Sequence, residues 1–319
     1  MNRATFIQQL KMASAGAFFS PYAIFQEQPQ LKKALLDKVG LQLFSAPSLL
    51  SNNLEEGIEV LQEMGYTSLE TFGPYEFSTE QAKKSFAELA QNFGGFKGGL
   101  YGNNPQNFKK ALGSLKVHSM HTDLETLEKN TPELIQAAQA LGAKYVVLPM
   151  IPDELRGDLE AYKKMADRFN AIGKNLHQEG LRFAYHNHGF GFKDLNGTIP
   201  FHYLMQNTNP NTVFLELDVF WTTAAGQDPL ALLDQYPNRY KLMHLKDMMP
   251  NDLKLTEEQG LYGLFPFFGQ ITPCGSGTIN IEAIVAKGLT NGVDHFFVEH
   301  DMAPNPKKDL LKSAQYLLS

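Results

Sequence analysis

Eight times between residues 39 and 319 a short apolar run gives way to a longer segment with helical spacing, and this alternation restricts the chain to a sheet covered by helices. The apolar runs are Val39–Ala46, Ser68–Phe72, Val117–His121, Lys144–Pro149, Leu181–His186, Val213–Leu217, Tyr240–Leu245 and His295–Val298. They are nearly continuous in apolar residues, as strands buried on both faces must be, so they predict parallel pairing. Between them, spacings such as Leu54, Ile58, Leu61 and Met64 predict helices, among them 79–92, Pro132–Leu141, Leu159–Gln178, Pro229–Gln235, Ile281–Leu289 and Lys307–Leu318. Gly65 and Gly142 stand where two of these stop.

Eight strand-helix units are the number that closes a (β/α)8 (TIM) barrel, an α/β fold of one domain. Set aside the Gly-, Pro- and Phe-rich interruption at 250–275, and residues 39–319 approach the length of about 250 typical of that barrel. The interruption itself reads as a long βα loop on the catalytic face. The competing fold, an open doubly wound sheet, wants a Gly-rich phosphate turn after its first strand, and Phe44-Ser45-Ala46-Pro47-Ser48 has no glycine.

The first 38 residues differ. Arg3 and Lys11 precede the apolar stretch Met12–Phe25 with no acid before Glu27, the order of an export signal. Asn2–Ile7 resembles a twin-arginine signal whose second arginine is replaced by Ala4, and no small-x-small cleavage site follows. The other reading is an amphipathic N-terminal helix lying on the domain. The location expected is therefore periplasmic if the segment directs export and cytoplasmic otherwise. A membrane span is not expected, because Ser20-Pro21 breaks the apolar stretch well short of about 18 residues.

Composition narrows the partners. With 28 Lys and Arg against 34 Asp and Glu, a net charge of −6 and no basic run, the chain is not expected to hold nucleic acid. One cysteine, Cys274, excludes an internal disulfide and any site built from several thiolates.

In a barrel, chemistry collects where strands give way to βα loops. The last four strands end in Tyr185-His186-Asn187-His188, Glu216-Leu217-Asp218, His244-Leu245-Lys246-Asp247 and Glu299-His300-Asp301. Residues two apart share a face, so His186 with His188, Glu216 with Asp218, and His244 with Lys246 can each point inward together. Imidazole and carboxylate side by side suit Zn²⁺, Mn²⁺, Fe²⁺ or Co²⁺. Taken singly, each has a plainer reading: a packed histidine, or a carboxylate capping the next helix.

Together with Leu217-Asp218-x-x-Trp221-x4-Gly226-x-Asp228-Pro229, Arg239-x4-His244-x-Lys246-Asp247, Gly275-x-Gly277-x-Ile279 and Val298-Glu299-x-Asp301, the chain resembles the sugar phosphate isomerase/epimerase family. That family shares the xylose-isomerase-like barrel and includes inosose dehydratases, tagatose epimerases and hydroxypyruvate isomerases. The resemblance spans roughly residues 39–319 and is densest from 180 onward. It implies one divalent metal ion (Mn, Zn, Co or Fe) on His186, Asp218, His244 and Glu299, with His188 as the substitute on the fifth strand. It implies a metal-dependent sugar isomerase or epimerase that abstracts a proton next to a metal-bound carbonyl of a keto-sugar or related polyol. Epimerases of the family resemble one another in a glutamate where His186 stands here; the dehydratase branch is similar in carrying histidine. The alternative is thus an inosose- or keto-sugar-type dehydratase working by β-elimination.

On this reading Glu299, or whichever of His186 and His188 the metal does not hold, is the base, and Lys246 holds a substrate oxygen unless a salt bridge to Asp247 or Asp218 claims it. Trp221, Phe220 and Phe72 can stack on a sugar ring or belong to the core, and His118 and His121 can line the pocket. No Gly-rich turn or Arg cluster is present to hold a phosphate, so an unphosphorylated sugar or cyclitol is expected. An oligomer is allowed. Two other functions fit the fold. A metal-cluster phosphodiesterase or abasic-site endonuclease would need further His and Glu ligands and a basic face, and a non-catalytic carbohydrate-binding barrel would have an incomplete ligand set.

Overall fold

The computed structural model describes Leu35 and residues 38–318, apart from residue 94 and residues 257–259. The expected export signal therefore lies outside the described residues. Eight parallel strands form a closed barrel: β1 Val39–Gln42, β2 Ser68–Phe72, β3 Lys116–His121, β4 Tyr145–Leu148, β5 Arg182–His186, β6 Val213–Asp218, β7 Tyr240–Leu245 and β8 His295–Val298. Each strand pairs with its neighbours in sequence, and β1 closes the ring against β8, Val39 opposite Phe296. Two strand pairs are irregular: the register shifts between Leu69 and Glu70 against β3, and between Leu215 and Glu216 against β7.

The helices begin where the chain offers a cap. Asn53, Thr79, Asn104, Asp123, Asp158, Asp228 and Asn280 each accept a backbone N–H of the first turn through the side chain. Gly142 ends the helix Thr131–Leu141 in the left-handed conformation that glycine adopts without a steric cost. The expected first strand is shorter than its apolar run: Leu43–Ser45 turns as a 3-10 helix and Pro47 starts a short helix.

Apolar residues fill three spaces. The largest cluster lies between strands and helices; Tyr145, Val147, Ala184, Leu242 and Phe297 plug the barrel interior. The third group, Phe190, Phe220, Trp221, Ala224, Leu255, Leu264, Phe267 and Ile271, packs the segment at 250–275 onto the barrel mouth. That segment is more ordered than a plain loop. Met248 and Asp247 pair antiparallel with Ile271 and Thr272, and Phe265–Phe268 forms one helical turn between them. Among the described residues no helix is long and apolar enough to cross a membrane.

Candidate active site at the C-terminal mouth of the barrel

Strand alternation brings nine titratable groups into one buried volume at the barrel mouth: Glu70, His121, His186, Glu216, Asp218, His244, Lys246, Glu299 and Asp301. Two overlapping sets have ligand atoms close enough to hold a metal ion: Asp218 with His244 and Glu299, and His121 with His186, Glu216 and His244.

The four residues that the family resemblance singles out converge. His186 Nε2 lies 3.6 Å from Asp218 Oδ2, and His244 Nδ1 lies 3.7 Å from the same oxygen and 2.7 Å from Glu299 Oε2. His186 Nε2 is buried and has no hydrogen-bond partner. A bare, buried imidazole nitrogen facing carboxylate oxygens is what a cation ligand set offers, because such an atom otherwise incurs its full desolvation cost. The residues present therefore fit a divalent ion. Asp218 does both things that its position allows: Oδ1 caps the helix Val219–Ala224 by accepting Trp221 N–H at 2.9 Å, and Oδ2 faces the site.

Lys246 Nζ lies 2.9 Å from Asp218 Oδ2, 2.6 Å from Glu299 Oε2 and 2.7 Å from Asp301 Oδ2, with its side chain 0% exposed. An ammonium so buried must be paired, and three carboxylates pair it. Burial works against its charge, but Asp218, Asp301 and Glu299 outweigh it and hold its pKa well above the usual lysine value. Burial would likewise raise Glu299; Lys246 and His244 instead bring it far below the usual carboxylate range. Burial and the Glu299 charge push Asp301 up to about 7. Asp247 takes no part in this group. It accepts the backbone N–H of Met248, Gly277 and Ile279 at 2.8, 2.8 and 3.0 Å, pinning the end of the long insertion. Gly277 is required there, since a Cβ would stand 2.3 Å from Met248 O and 2.4 Å from Asp247 Oδ1.

His188 is half-buried above His186, with ring centroids 4.5 Å apart. Its Nδ1 donates to the Pro149 carbonyl at 2.6 Å. A carbonyl can only accept, so Nδ1 carries the proton and Nε2 keeps a lone pair. Burial and the nearby Lys246 push its pKa down to about 4, which keeps the ring neutral.

Other expected site residues sit differently. Trp221 borders the site, with Lys246 Nζ 5.5 Å from its ring centroid and the His188 ring centroid 5.8 Å away, but Phe267 and Phe268 cover it and it is fully buried, as is Phe220. Phe72 is packed edge-on against Phe44 and Phe96 and beside Phe86. Neither ring therefore presents an open face to a sugar, because the insertion and an aromatic cluster occupy those faces. His121 lies deeper, its Nε2 3.0 Å from Glu70 Oε1 and 2.7 Å from Glu216 Oε2. His118 stacks on His295 at 4.0 Å among residues that begin β3 and β8, at the other end of the barrel, so it does not line this pocket. Glu70 escaped the sequence reading although the signal was there: a carboxylate in the middle of the apolar strand Ser68–Phe72, one alternation before Phe72.

Comparison with known proteins gives a consistent picture. The family described as xylose isomerase-like TIM barrel matches residues 58–319. An inosose dehydratase of Clostridium beijerinckii is 27% identical over 74% of this chain and 88% of its own length. Inosose dehydratase 1 of Bacillus cereus is 30% identical over 70% of this chain and 85% of its own. Among solved structures, a sugar phosphate isomerase/epimerase from Parabacteroides distasonis superposes with a TM-score of 0.65 at 26% identity, covering 89% of this chain and 94% of that one.

Proposed function

Because the chain belongs to the xylose isomerase-like TIM barrel family, we propose that it is a metal-dependent enzyme that removes a proton next to the carbonyl of a keto-sugar or inosose-like cyclitol. The observation that carries this reading is the bare His186 Nε2 facing Asp218 Oδ2, with His244 Nδ1 and Glu299 Oε2 beside it. His186, Asp218, His244 and Glu299 would hold one divalent ion. When bound, such an ion supplies Lewis-acid polarisation of a carbonyl oxygen.

The protein's own groups divide the remaining work. His188 Nε2, bare and neutral, takes the proton from the carbon next to the carbonyl. The three N–H donors of Lys246 go to Asp218, Glu299 and Asp301, the Asp218 salt bridge included, so Lys246 fixes those carboxylates and lends positive charge beside the substrate oxygen that gains charge. Packing of Phe267 and Phe268 over Trp221 closes that side of the barrel mouth. Return of the proton gives isomerisation or epimerisation. Loss of a β-hydroxyl gives dehydration, the reading favoured by His186 standing where family epimerases carry glutamate and by the names of the relatives.

Metal analysis of purified protein tests the proposal, paired with His244→Ala and Glu299→Ala. About one equivalent of Zn, Mn, Co or Fe, lost in both variants, is expected. Screening inososes and keto-sugars in D2O then separates the outcomes: deuterium incorporation marks reprotonation, and a conjugated enone absorbance marks elimination. A protein that takes up no metal even after reconstitution would refute the proposal.

A further inference from the structure

The two candidate ligand histidines meet the site through different ring nitrogens, His186 through Nε2 and His244 through Nδ1. Their opposite nitrogens are not free. His186 Nδ1 is 3.0 Å from Glu216 Oε2, and His244 Nε2 is 2.5 Å from Glu70 Oε1 and 3.3 Å from Glu216 Oε1. A carboxylate accepts, so His186 Nδ1 and His244 Nε2 each carry a proton and His186 Nε2 is left bare; His244 Nδ1 also meets a carboxylate, Glu299 Oε2, at 2.7 Å, and would give up its proton to an ion held between the two.

We propose that Glu70 and Glu216 are positioning residues that lock His186 and His244 in opposite tautomers and thereby build the metal site, His121 serving as the bridge between them. The inference rests on the metal site proposed above. Both carboxylates sit at the two places where the barrel register shifts, Leu69/Glu70 and Leu215/Glu216. The extra residue at each shift lies on the partner strand, His118 on β3 and Lys241 on β7, so the irregularity sets which residues stand opposite Glu70 and Glu216. Glu70 is itself held: Gln42 Nε2 donates to its Oε1 at 2.8 Å, and Ser119 Oγ donates to its Oε2. His121 Nε2 reaches both carboxylates, which ties β2, β3 and β6 into one network behind β5 and β7. The same atoms could be read as a second ion's ligands. That would require His186 and His244 each to bind metal through both nitrogens, giving up both ring protons, whereas His186 Nδ1–Glu216 Oε2 and His244 Nε2–Glu70 Oε1 are hydrogen bonds at 3.0 and 2.5 Å.

The test uses the full chain stripped with a chelator, zinc, and competition with a chromophoric indicator. Wild type should bind one equivalent. Glu216→Gln and Glu70→Gln should still bind one, with the dissociation constant raised about 10–100-fold. In the zinc-loaded wild type, ring ¹⁵N shifts should put the protons on His186 Nδ1 and His244 Nε2. Zinc affinity within twofold of wild type in both variants, or a second wild-type equivalent that Glu216→Gln removes, would overturn the inference. So would ring protons on the other nitrogens, a readout that decides the matter even if neither variant folds. No zinc in the wild type would instead defeat the parent proposal.

Discussion

Lys246 Nζ and His244 Nδ1 both approach the same atom, Glu299 Oε2, at 2.6 and 2.7 Å. One carboxylate oxygen thus faces an ammonium and an imidazole nitrogen at once, which makes Lys246 part of the electrostatics of the proposed metal site. Replacing it by Met leaves Asp218, Glu299 and Asp301 buried without their cation. The stripped Lys246→Met protein should lose about 3–5 kcal/mol of stability. Zinc, which supplies the missing positive charge, should raise its melting temperature more than it raises that of wild type. Paired thermal melts with and without zinc measure this, and equal shifts would argue against it.

His188 should set the acid limb of the reaction. A base must be unprotonated, and a group whose pKa is lowered from 6.5 to about 4 is unprotonated above that value. At saturating metal, kcat/KM should therefore fall on the acid side near pH 4 and not near 6.5. His188→Gln should lower kcat about 10²–10⁴-fold while zinc stoichiometry stays at one. Loss of the metal in that variant would instead make His188 a ligand.

Trp221 is the only tryptophan of the sequence, and Lys246 Nζ lies 5.5 Å from its ring centroid. Its fluorescence is thus a direct reporter. Titration with Co²⁺ should quench it to an endpoint at one equivalent, and Glu299→Ala should abolish the endpoint. Quenching that persists unchanged in Glu299→Ala would place the ion elsewhere.

Asp247 anchors the mouth-covering insertion through three backbone N–H groups. Asp247→Ala should cost about 0.5–1.5 kcal/mol for each of the three part-buried hydrogen bonds lost, and amide exchange should accelerate at Gly277 and Ile279. Urea unfolding and hydrogen exchange check the two effects. Protected amides in the variant would show that the insertion is held by Phe267 and its neighbours alone.

Much of the architecture was legible in the residues. The helix Leu159–Gln178 and the strands at 68–72, 240–245 and 295–298 have the bounds that their periodicity predicts, because strands buried on both faces must be apolar and helices amphipathic. The helix Val219–Ala224 was not legible. Its residues Val-Phe-Trp-Thr-Thr-Ala favour strand, and it forms because Asp218 caps it and the insertion buries it. The position of Glu70 in a strand was legible, but not its purpose, since nothing local states that β2 faces β7 across the barrel interior.

The sequence by itself determined eight strands, their parallel pairing and the inward side chains at the ends of the last four, since the period of two is a property of each strand alone. Only the tertiary structure decided which nitrogen of His186 and His244 faces the site, that Lys246 joins Asp218, Glu299 and Asp301 while Asp247 turns to backbone, and that Trp221 lies covered. Those outcomes depend on which side chains from strands far apart in sequence arrive within 3–4 Å of one another. Barrel closure and two register shifts set those distances, and no single segment encodes them.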